Sequence, residues 1–585
     1  MTFSYPDFWL YVSISISALG FWGLYNINWR FVSLHELVRI FKALTLAGFI
    51  YIGTSILVHG FTNYFTMLGL ITYINSLLLI SGFRISKRVV LEVIKRPKRS
   101  NGVIIFGAGN AGEQIIRDVQ RNNQWELNIE AIFDDKVDLW GTSIHDIPII
   151  GGRRKLFEYL VTRNVKEIIF AAPSIPKKEL KSIIDKIKNI DPKQAIKVLP
   201  SYHKLGDQPV SVKNIRDIRI EDVLGREPAE IDFSEIKSSI TGKKILVTGA
   251  GGSIGGEIVR QLLKFQPKKL IALDIDETEL FYLENEIVDL DEKKIVVPYV
   301  ADVTDRHKME LLFRETSPEI IFHAAAYKHV PMMERYPEEA VRVNIGGTRL
   351  TAELACRYET EKFILISTDK AVNPTNVMGA TKRVAEQICM AYNDECETSF
   401  ISVRFGNVLG SRGSVVPLFI EQIKNGGPVT ITDPEITRYF MTIPEAVLLV
   451  IQAGTMGEGG EVFVLDMGEP VKILDMAKQL IKLHGLEPDM DIQITFNGLR
   501  PGEKLFEELL NAEEGVTTTA HSMIYKASCN RALSRHQLEY TVLELFKSVK
   551  HQRTDDIRET LKRLVPTYRS NGEPVVEEVV SGADF

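Results

Sequence analysis

Lys244-Ile245-Leu246-Val247-Thr248-Gly249-Ala250-Gly251-Gly252-Ser253-Ile254-Gly255 is the stretch that decides the fold. A short apolar run enters a glycine-rich turn, and the turn enters an amphipathic segment over residues 256–263. Strand, tight turn and helix in that order form the first unit of a dinucleotide-binding parallel sheet. Gly249 lets the chain turn, Gly252 lets backbone N–H groups approach a pyrophosphate, and Gly255 lets helix and strand pack closely. Ser253 and Ile254, inside the same turn, are expected to contact the cofactor. The next apolar run, residues 270–273, ends at Asp274, where a carboxylate binds both ribose hydroxyls of NAD and repels the 2′-phosphate of NADP.

Further strands follow downstream at regular intervals. Residues 296–300 precede Asp302-Val303, residues 320–322 precede His323-Ala324-Ala325-Ala326, and residues 363–366 precede Ser367-Thr368-Asp369-Lys370. Ala324, Ala325 and Ala326 leave room for a flat cofactor across the sheet edge. Ligands of open α/β sheets gather outside the carboxyl ends of strands. There Thr368, Asp369 and Lys370 set an acid beside a base, the requirement for general acid–base work. Eight residues past Lys370, Met378-Gly379-Ala380-Thr381-Lys382 opens a helix and puts Met378 and Lys382 on one face. A thioether exchanges no proton, so Met378 supplies no base.

Upstream, a second pattern of the same kind stands alone. Residues 103–106 lead into Gly107-Ala108-Gly109-Asn110-Ala111-Gly112, and a strand over residues 129–133 ends at Asp134 and Asp135. A strand at residues 167–171 follows, and the unit finishes near Pro200 without residues suited to chemistry. An occupied nucleotide site and a regulatory or degenerate one are both compatible with these residues.

Residues 8–29, 41–60 and 61–83 are apolar and nearly free of charge. Each is close to the ~20 residues a helix needs to cross the hydrocarbon. Arg30, Arg39 and Lys42 separate the first two stretches, and Arg84, Lys87, Arg88, Lys95, Arg96, Lys98 and Arg99 follow the third. The positive-inside rule then predicts three inner-membrane spans with an outer N-terminus and everything beyond residue 100 in the cytoplasm. The segment from Tyr25 to Arg39 reads either as a loop or as an interfacial element.

The 585-residue chain is 45% hydrophobic, 25% charged and carries a net charge of −6, so neither whole-chain disorder nor a broad nucleic-acid surface is expected. Cys356, Cys389, Cys396 and Cys529 lack ligand-like spacing and read as free thiols in a reducing compartment. The histidines are scattered, and no metal site is expected.

The organisation predicted is α/β: a transmembrane anchor (1–86), a basic linker (87–100), and a first Rossmann-like doubly wound domain (101–200). A connecting segment (201–240), a catalytic domain (241–530) and a helical C-terminal segment and tail (531–585) complete it. From about residue 240 to 530 the chain resembles the extended short-chain dehydrogenases that act on nucleotide sugars. Over its full length it resembles the membrane-anchored nucleoside-diphosphate-sugar 4,6-dehydratases of bacterial polysaccharide and glycan biosynthesis, the UDP-N-acetylglucosamine group. The resemblance rests on residues 248–255, Ala325-Ala326-Tyr327-Lys328-His329-Val330-Pro331, Ser367-Thr368-Asp369-Lys370, Arg404-Phe405-Gly406-Asn407-Val408, Thr437-Arg438-Tyr439-Phe440-Met441 and Arg500-Pro501-Gly502-Glu503-Lys504. Met378 stands where short-chain dehydrogenases usually carry tyrosine, a feature of the long members. Those members usually carry four spans, against the three found here.

The resemblance implies a cycle in which bound NAD takes hydride from C4 and returns it to C6 after water is lost. Lys370, which must be neutral for the purpose, is expected to take the C5 proton, a state that burial and nearby Lys382 would favour. Asp369 is expected to protonate the C6 hydroxyl and Thr368 to bond the C4 hydroxyl. The acceptor of the C4 proton is open between Asp369 and a water held by Thr368. Lys382 would hold the nicotinamide ribose. Lys328, His329, Asn407, Arg438, Arg500 and Glu503 are expected around the nucleotide sugar, the two arginines on its diphosphate and Glu503 either on a ribose or ordering the Arg500 loop. A 4-epimerase and a catalytically silent nucleotide-sugar or NAD sensor are the competing readings, and a homo-oligomer through helices of the second sheet is the default assembly.

Overall fold

The computed structural model describes residues 5–22, 34–60, 63–94, 102–122, 125, 127–200, 210–224, 231–288, 290–291, 293–509, 515–528 and 535–569. It divides into two units, residues 1–101 with 123–128, and residues 102–122 with 129–585.

The first unit is built on helices α1 (Tyr5–Phe21), α2 (Leu34–His59) and α3 (Asn63–Ile94). They meet through Ala18, Ile40, Ala43, Leu44 and Ala47, and through a 2.9 Å hydrogen bond between Thr45 Oγ1 and Tyr73 OH. The three predicted spans are not matched by three helices of spanning character. Among the described residues only Val38–Val58, with 21 residues and a mean hydropathy of 1.7, is long and apolar enough. The other apolar runs, Phe8–Phe21 and Gly69–Phe83, are shorter. The first predicted span extends into residues 23–29, which lie outside the described residues. Helix α3 continues through the charged residues to Ile94, since no proline interrupts it before Pro97, so the first half of the predicted linker is helical.

The second unit holds both sheets. The first has seven strands: β1 (Gly102–Phe106), β2 (Asn128–Phe133), β3 (Ser143–Ile144), β4 (Ile147–Gly151), β5 (Glu167–Phe170), β6 (Ala195–Val198) and β7 (Arg216–Asp217), in the order β3-β4-β2-β1-β5-β6-β7. Antiparallel β3 and β7 close its edges, and β7 lies beyond Pro200 in what reads as connecting sequence. Helix α4 (Asn110–Arg121) follows its glycine turn.

The second sheet contains β8 (Lys244–Thr248), β9 (Lys269–Asp274), β10 (Val296–Val300), β11 (Ile320–His323), β12 (Lys362–Ile366) and β13 (Ser399–Arg404). They are ordered β10-β9-β8-β11-β12-β13 and extended by strands Val462–Leu465, Ile524–Ala527 and Val516–Thr518. The order reverses between β8 and β11, which opens a crevice at their carboxyl ends. Ile245, Leu246, Val247, Phe363, Ile364 and Leu365 are buried, as a parallel sheet covered on both faces requires. Helix α5 (Ser253–Leu263) follows β8, and helix α6 (Val377–Asn393) follows the Thr368–Lys370 loop.

One expectation changes here. Cys356 and Cys396 are not free thiols: they form a disulfide across 40 residues, because the ends of two neighbouring helical segments bring their Cα atoms within 5.6 Å. Cys389 is free and buried, and Cys529 lies outside the described residues. Helix α6 packs against the carboxyl-terminal part of the same chain. One of its faces is covered by the chain's own C-terminal helices, Arg535–Lys550 and Thr554–Leu564. Val377, Met378 and Val384 share an apolar cluster there with Leu538, Leu561 and Tyr568. Truncating a fully buried leucine removes transfer energy and leaves a cavity. Leu561→Ala should therefore cost about 2–5 kcal/mol, whereas Leu543→Ala on the exposed side should stay within about 0.5 kcal/mol; denaturant unfolding of the full chain measures both.

Candidate active site at the carboxyl edge of the second sheet

The glycine turn has the geometry its residues require. Gly249 adopts φ +70, and a Cβ there would stand 2.7 Å from the Ala325 amide nitrogen. A Cβ on Gly255 would stand 2.1 Å from the Gly249 carbonyl, so any side chain would force α5 off β8. Asp274 Oδ2 accepts the Gly251 N–H at 2.8 Å, which fixes the carboxylate beside the turn. A cavity of about 520 Å³ opens there, lined among others by Gly251, Gly252, Ser253, Glu279 and Arg412. The Arg412 N–H donates to Ser253 Oγ at 3.1 Å, and its guanidinium pairs with Glu279. The cradle, the positive-φ glycine and the Asp274 carboxylate beside the turn fit a dinucleotide.

Asp302 lies at the same edge but is bound within the protein. It accepts from the Thr304 N–H at 2.8 Å and from Arg342 Nη1 at 2.9 Å, and Val303 packs on Gly347. The turn carrying Ala324 and Ala326 is tied down by His323, whose Nδ1 lies 2.8 Å from Thr248 Oγ1 and Nε2 3.1 Å from Thr348 Oγ1. Burial, reinforced by the Lys382 charge, drives the imidazole down to about 3, so His323 is neutral and structural. Asn344, which sequence reasoning missed, is fully buried in a π-helical turn (Val341–Gly347). It accepts the Tyr327 N–H at 2.8 Å and donates to the Tyr327 carbonyl at 3.1 Å and to Thr381 Oγ1 at 3.0 Å, so the β11 loop is joined to α6.

The acid–base residues sit in a short 3-10 turn, Asp369–Ala371, after β12. Asp369 is buried; its Oδ1 accepts Thr368 Oγ1 at 2.8 Å and the Lys370 N–H at 2.8 Å. Lys370 Nζ lies 3.1 Å from Asp369 Oδ1 and 2.6 Å from Glu507 Oε1. Burial disfavours the ammonium, but the two carboxyls outweigh it and hold the Lys370 pKa above its ordinary value. Lys370 is therefore charged at rest, which corrects the expectation of a neutral amine. Lys382 is the lysine that burial does lower, to about 8.

Glu507 is the main residue that sequence reasoning passed over. It lies three residues past the Arg500–Lys504 motif, preceded by Leu505 and Phe506 and followed by a second acid, Glu508, so no local pattern sets it apart. It organises the residues expected to bind substrate. Asn407 Nδ2 donates to Glu507 Oε2 at 2.9 Å, and Arg438 Nε lies 3.1 Å from Glu507 Oε1. Arg438 Nη1 also donates to the Thr437 and Leu505 carbonyls at 2.7 and 3.2 Å, and Nη2 to Glu503 Oε1 at 3.3 Å. Its guanidinium is thus largely committed to protein acceptors rather than free for a diphosphate. Glu503 Oε2 accepts the Arg500 N–H at 3.2 Å, so of its two expected roles it here orders the Arg500 loop. Arg500, Lys328 and His329 are exposed, with His329 against Gly413.

One buried fork fixes these elements to each other. Arg404 Nε and Nη2 donate to the two carboxylate oxygens of Glu386, each at 2.7 Å, and Ser367 Oγ donates to Glu386 Oε1 at 2.6 Å. Burial opposes the Glu386 charge, but Arg404 foremost holds the carboxyl down at about 2.

In the first sheet the turn is built alike. Gly107 has φ +118, a Cβ on Gly112 would lie 2.1 Å from the Gly107 carbonyl, and the Ala108 N–H donates to Asp134 Oδ2 at 2.7 Å. Asp135 instead pairs with Arg153 at 2.7 Å.

Fold and site define a two-sheet Rossmann-type protein with an acid–base cluster beside a dinucleotide cradle. Residues 245–529 match the family described as polysaccharide biosynthesis protein, and residues 21–191 match one described as a CoA-binding domain. The chain is 44% identical over 523 residues, 88% of its length and 86% of the relative's, to the capsular polysaccharide biosynthesis protein CapD of Staphylococcus aureus. The chain belongs to this polysaccharide biosynthesis protein family. It is also 32% identical, over 52% of its length and 87% of the relative's, to an inverting UDP-N-acetylglucosamine 4,6-dehydratase of Campylobacter jejuni. A UDP-glucose 4-epimerase of Rickettsia akari is 36% identical over 46% of the chain and 79% of the relative.

Removing one partner of a buried ion pair strands the other. Glu386→Gln should destabilise the full chain at neutral pH by about 3–5 kcal/mol. A depressed carboxyl contributes stability above its ordinary 4.5 and loses it as pH falls toward about 2. The gap between variant and parent should therefore narrow across that window in thermal unfolding.

Proposed function

We propose that the protein is a hydro-lyase that uses bound NAD to convert UDP-N-acetylglucosamine to its 4-keto-6-deoxy derivative for polysaccharide or glycan biosynthesis. The observation that carries this reading is the acid and base placed side by side after β12 in a site where Met378 replaces a proton-exchanging phenol. Epimerisation needs a proton shuttle at C4 alone, whereas loss of water across C5 and C6 needs both an acid and a base. Asp369 and Lys370 are that pair, within 3.1 Å of each other. The similarity to an inverting 4,6-dehydratase supports the same choice.

Residues 249–255, Asp274, the Ala324–Ala326 turn and Lys382 would hold the dinucleotide, which supplies a hydride acceptor for C4 and a hydride donor for C6. Thr368 would hydrogen-bond the C4 hydroxyl and hold a water that accepts its proton, while its own Oγ1 donates to Asp369 Oδ1 at 2.8 Å. Asp369 would protonate the departing C6 hydroxyl. Lys370 would take the C5 proton once it has lost its own. Exposed Arg500 is the arginine left free for a diphosphate, while Lys328 and His329 border the entrance.

The amino-terminal helices would anchor this site at the cytoplasmic face of the inner membrane. The 21 apolar residues of Val38–Val58 and the solvent-facing Phe49, Leu57, Val58, Leu78 and Leu79 support that placement, since such a surface suits lipid better than water.

Incubation of the full-length protein with UDP-N-acetylglucosamine and NAD in deuterated water tests the reading by mass and NMR. Loss of one water with deuterium entering C5 is expected; inversion at C4 without water loss would make it an epimerase, and binding without turnover a sensor. Lys370→Ala should keep nucleotide-sugar binding within about threefold yet lower C5 exchange by roughly 100-fold or more. Met378→Leu should retain far more turnover than Lys382→Ala.

A further inference from the structure

The resting protonation of the cluster is the reverse of what elimination needs. Lys370 is an ammonium and Asp369 a carboxylate, yet the chemistry proposed above needs an amine and a carboxylic acid. Glu507 lies between them. Its side chain is almost fully enclosed, with Oε1 2.6 Å from Lys370 Nζ and Oε2 accepting from Asn407 at 2.9 Å. The Glu507 and Asp369 carboxyls meet on the same ammonium, Lys370 Nζ, at 2.6 and 3.1 Å. Asp369 Oδ2 is a buried oxygen without a hydrogen-bond partner among the described residues, while Glu507 Oε1 is met by two cations, Lys370 Nζ at 2.6 Å and Arg438 Nε at 3.1 Å. Two buried carboxyls gathered on one ammonium favour one shared proton, because two bare carboxylates side by side repel. The charged groups facing Glu507 are Asp369 and Lys370 from the β12 loop and Arg438 from the strand Thr437–Arg438. Burial, aided by Asp369 and opposed by Lys370 and Arg438, lifts the Glu507 pKa to about 7, which places the shared proton on this side chain.

We propose that Glu507 relays a proton from Lys370 to Asp369, converting the resting ammonium–carboxylate pair into the amine and the acid that eliminate water. An N–H bond of Lys370 breaks and its proton passes to Glu507, while the proton already on Glu507 passes to Asp369. Glu507 stays a neutral carboxylic acid and the net charge of the cluster does not change. The Lys370 amine then takes the C5 proton, the C5–H electron pair forms the C5–C6 double bond, and the C6–O bond breaks. The Asp369 proton leaves with that oxygen as water. Lys370 returns to an ammonium and Asp369 to a carboxylate, so the cluster is restored without any outside donor. Glu507 acts through its neighbours and is a positioning residue in this scheme, which rests on the dehydratase reading.

The full-length parent is assayed first for water loss from UDP-N-acetylglucosamine. Failure of the parent refutes the dehydratase reading and the relay with it, whereas failure confined to the variant comparison refutes the relay alone. With an active parent, Glu507→Gln at saturating substrate should still oxidise C4 in a single turnover, seen as reduced NAD absorbance. Its C5 deuterium exchange and water loss should fall by roughly 100- to 1,000-fold. Glu507→Asp should recover part of that loss, and added formate should restore Glu507→Ala in a concentration-dependent way. Parent exchange should decline as pH rises through about 7, where the shared proton is lost, and that limb should vanish in Glu507→Gln. Glu507→Gln with parental exchange and an unchanged pH profile would overturn the relay. So would a loss confined to substrate binding with turnover intact, because Glu507 would then only shape the site.

Discussion

Arg404 and Glu386 face each other with neither side chain exposed, joined by two parallel 2.7 Å hydrogen bonds. Taking two ions out of water is costly, and only good geometry with the remaining lone pairs satisfied offsets it. Here Ser367 Oγ and Arg383 Nη1 complete the Glu386 carboxylate at 2.6 and 3.0 Å. The fork ties the end of β13 to α6, and Ser367 ties both to the residue before Thr368. Glu386 lies one helical turn beyond Lys382, so the same contact sets where Lys382 emerges. Strand ends drift easily by fractions of an ångström, and proton transfer between Asp369 and Lys370 does not tolerate that drift. The buried ion pair removes it.

A second constraint is the use of one turn design twice. In each sheet a positive-φ glycine, a glycine packed on the first one's carbonyl and an aspartate accepting a backbone N–H from the turn occur together. What differs lies beyond the turn. In the second sheet the neighbouring strands end in Asp369, Lys370 and the alanine run, and the cluster around Glu507 closes over them. In the first sheet the adjacent acid, Asp135, is engaged by Arg153, which itself reaches Glu179. The same turn design thus serves a chemically equipped site in one half of the chain and a chemically bare one in the other.

The strands, the glycine turns and the Thr368–Lys370 loop were legible because each is local: periodicity and spacing within a few residues decide them. Relations between distant residues were not. Nothing near Lys370 in sequence announces Glu507, which joins Asp369 in outweighing the burial that would otherwise lower the Lys370 pKa. Arg438 read as a substrate clamp because arginine in a loop suits a diphosphate, and only three-dimensional packing reveals the carbonyls and carboxylates that engage it. The Cys356–Cys396 pair and the C-terminal helices covering α6 failed to show for the same reason, being contacts between segments that no short-range pattern couples. The amino-terminal helices erred in the other direction. Apolar composition was plain, but the length of each uninterrupted run, which decides spanning, depends on helix boundaries.

The Gly502 carbonyl accepts two hydrogen bonds, from Thr375 Oγ1 and from Asn376 Nδ2, both at 3.0 Å, while Asn376 Oδ1 caps α6 through the Gly379 N–H at 2.8 Å. A Cβ on Gly502, which has φ +78, would fall 2.7 Å from Asn376 Cβ. The loop from Arg500 to Glu507 and the first turn of α6 therefore behave as one inherited module. Recombining this loop between relatives, or grafting it to alter sugar preference, will succeed only when the Asn376 cap and the Gly502 backbone travel together. The unit of exchange in this architecture is the loop with its helix cap, not the loop alone.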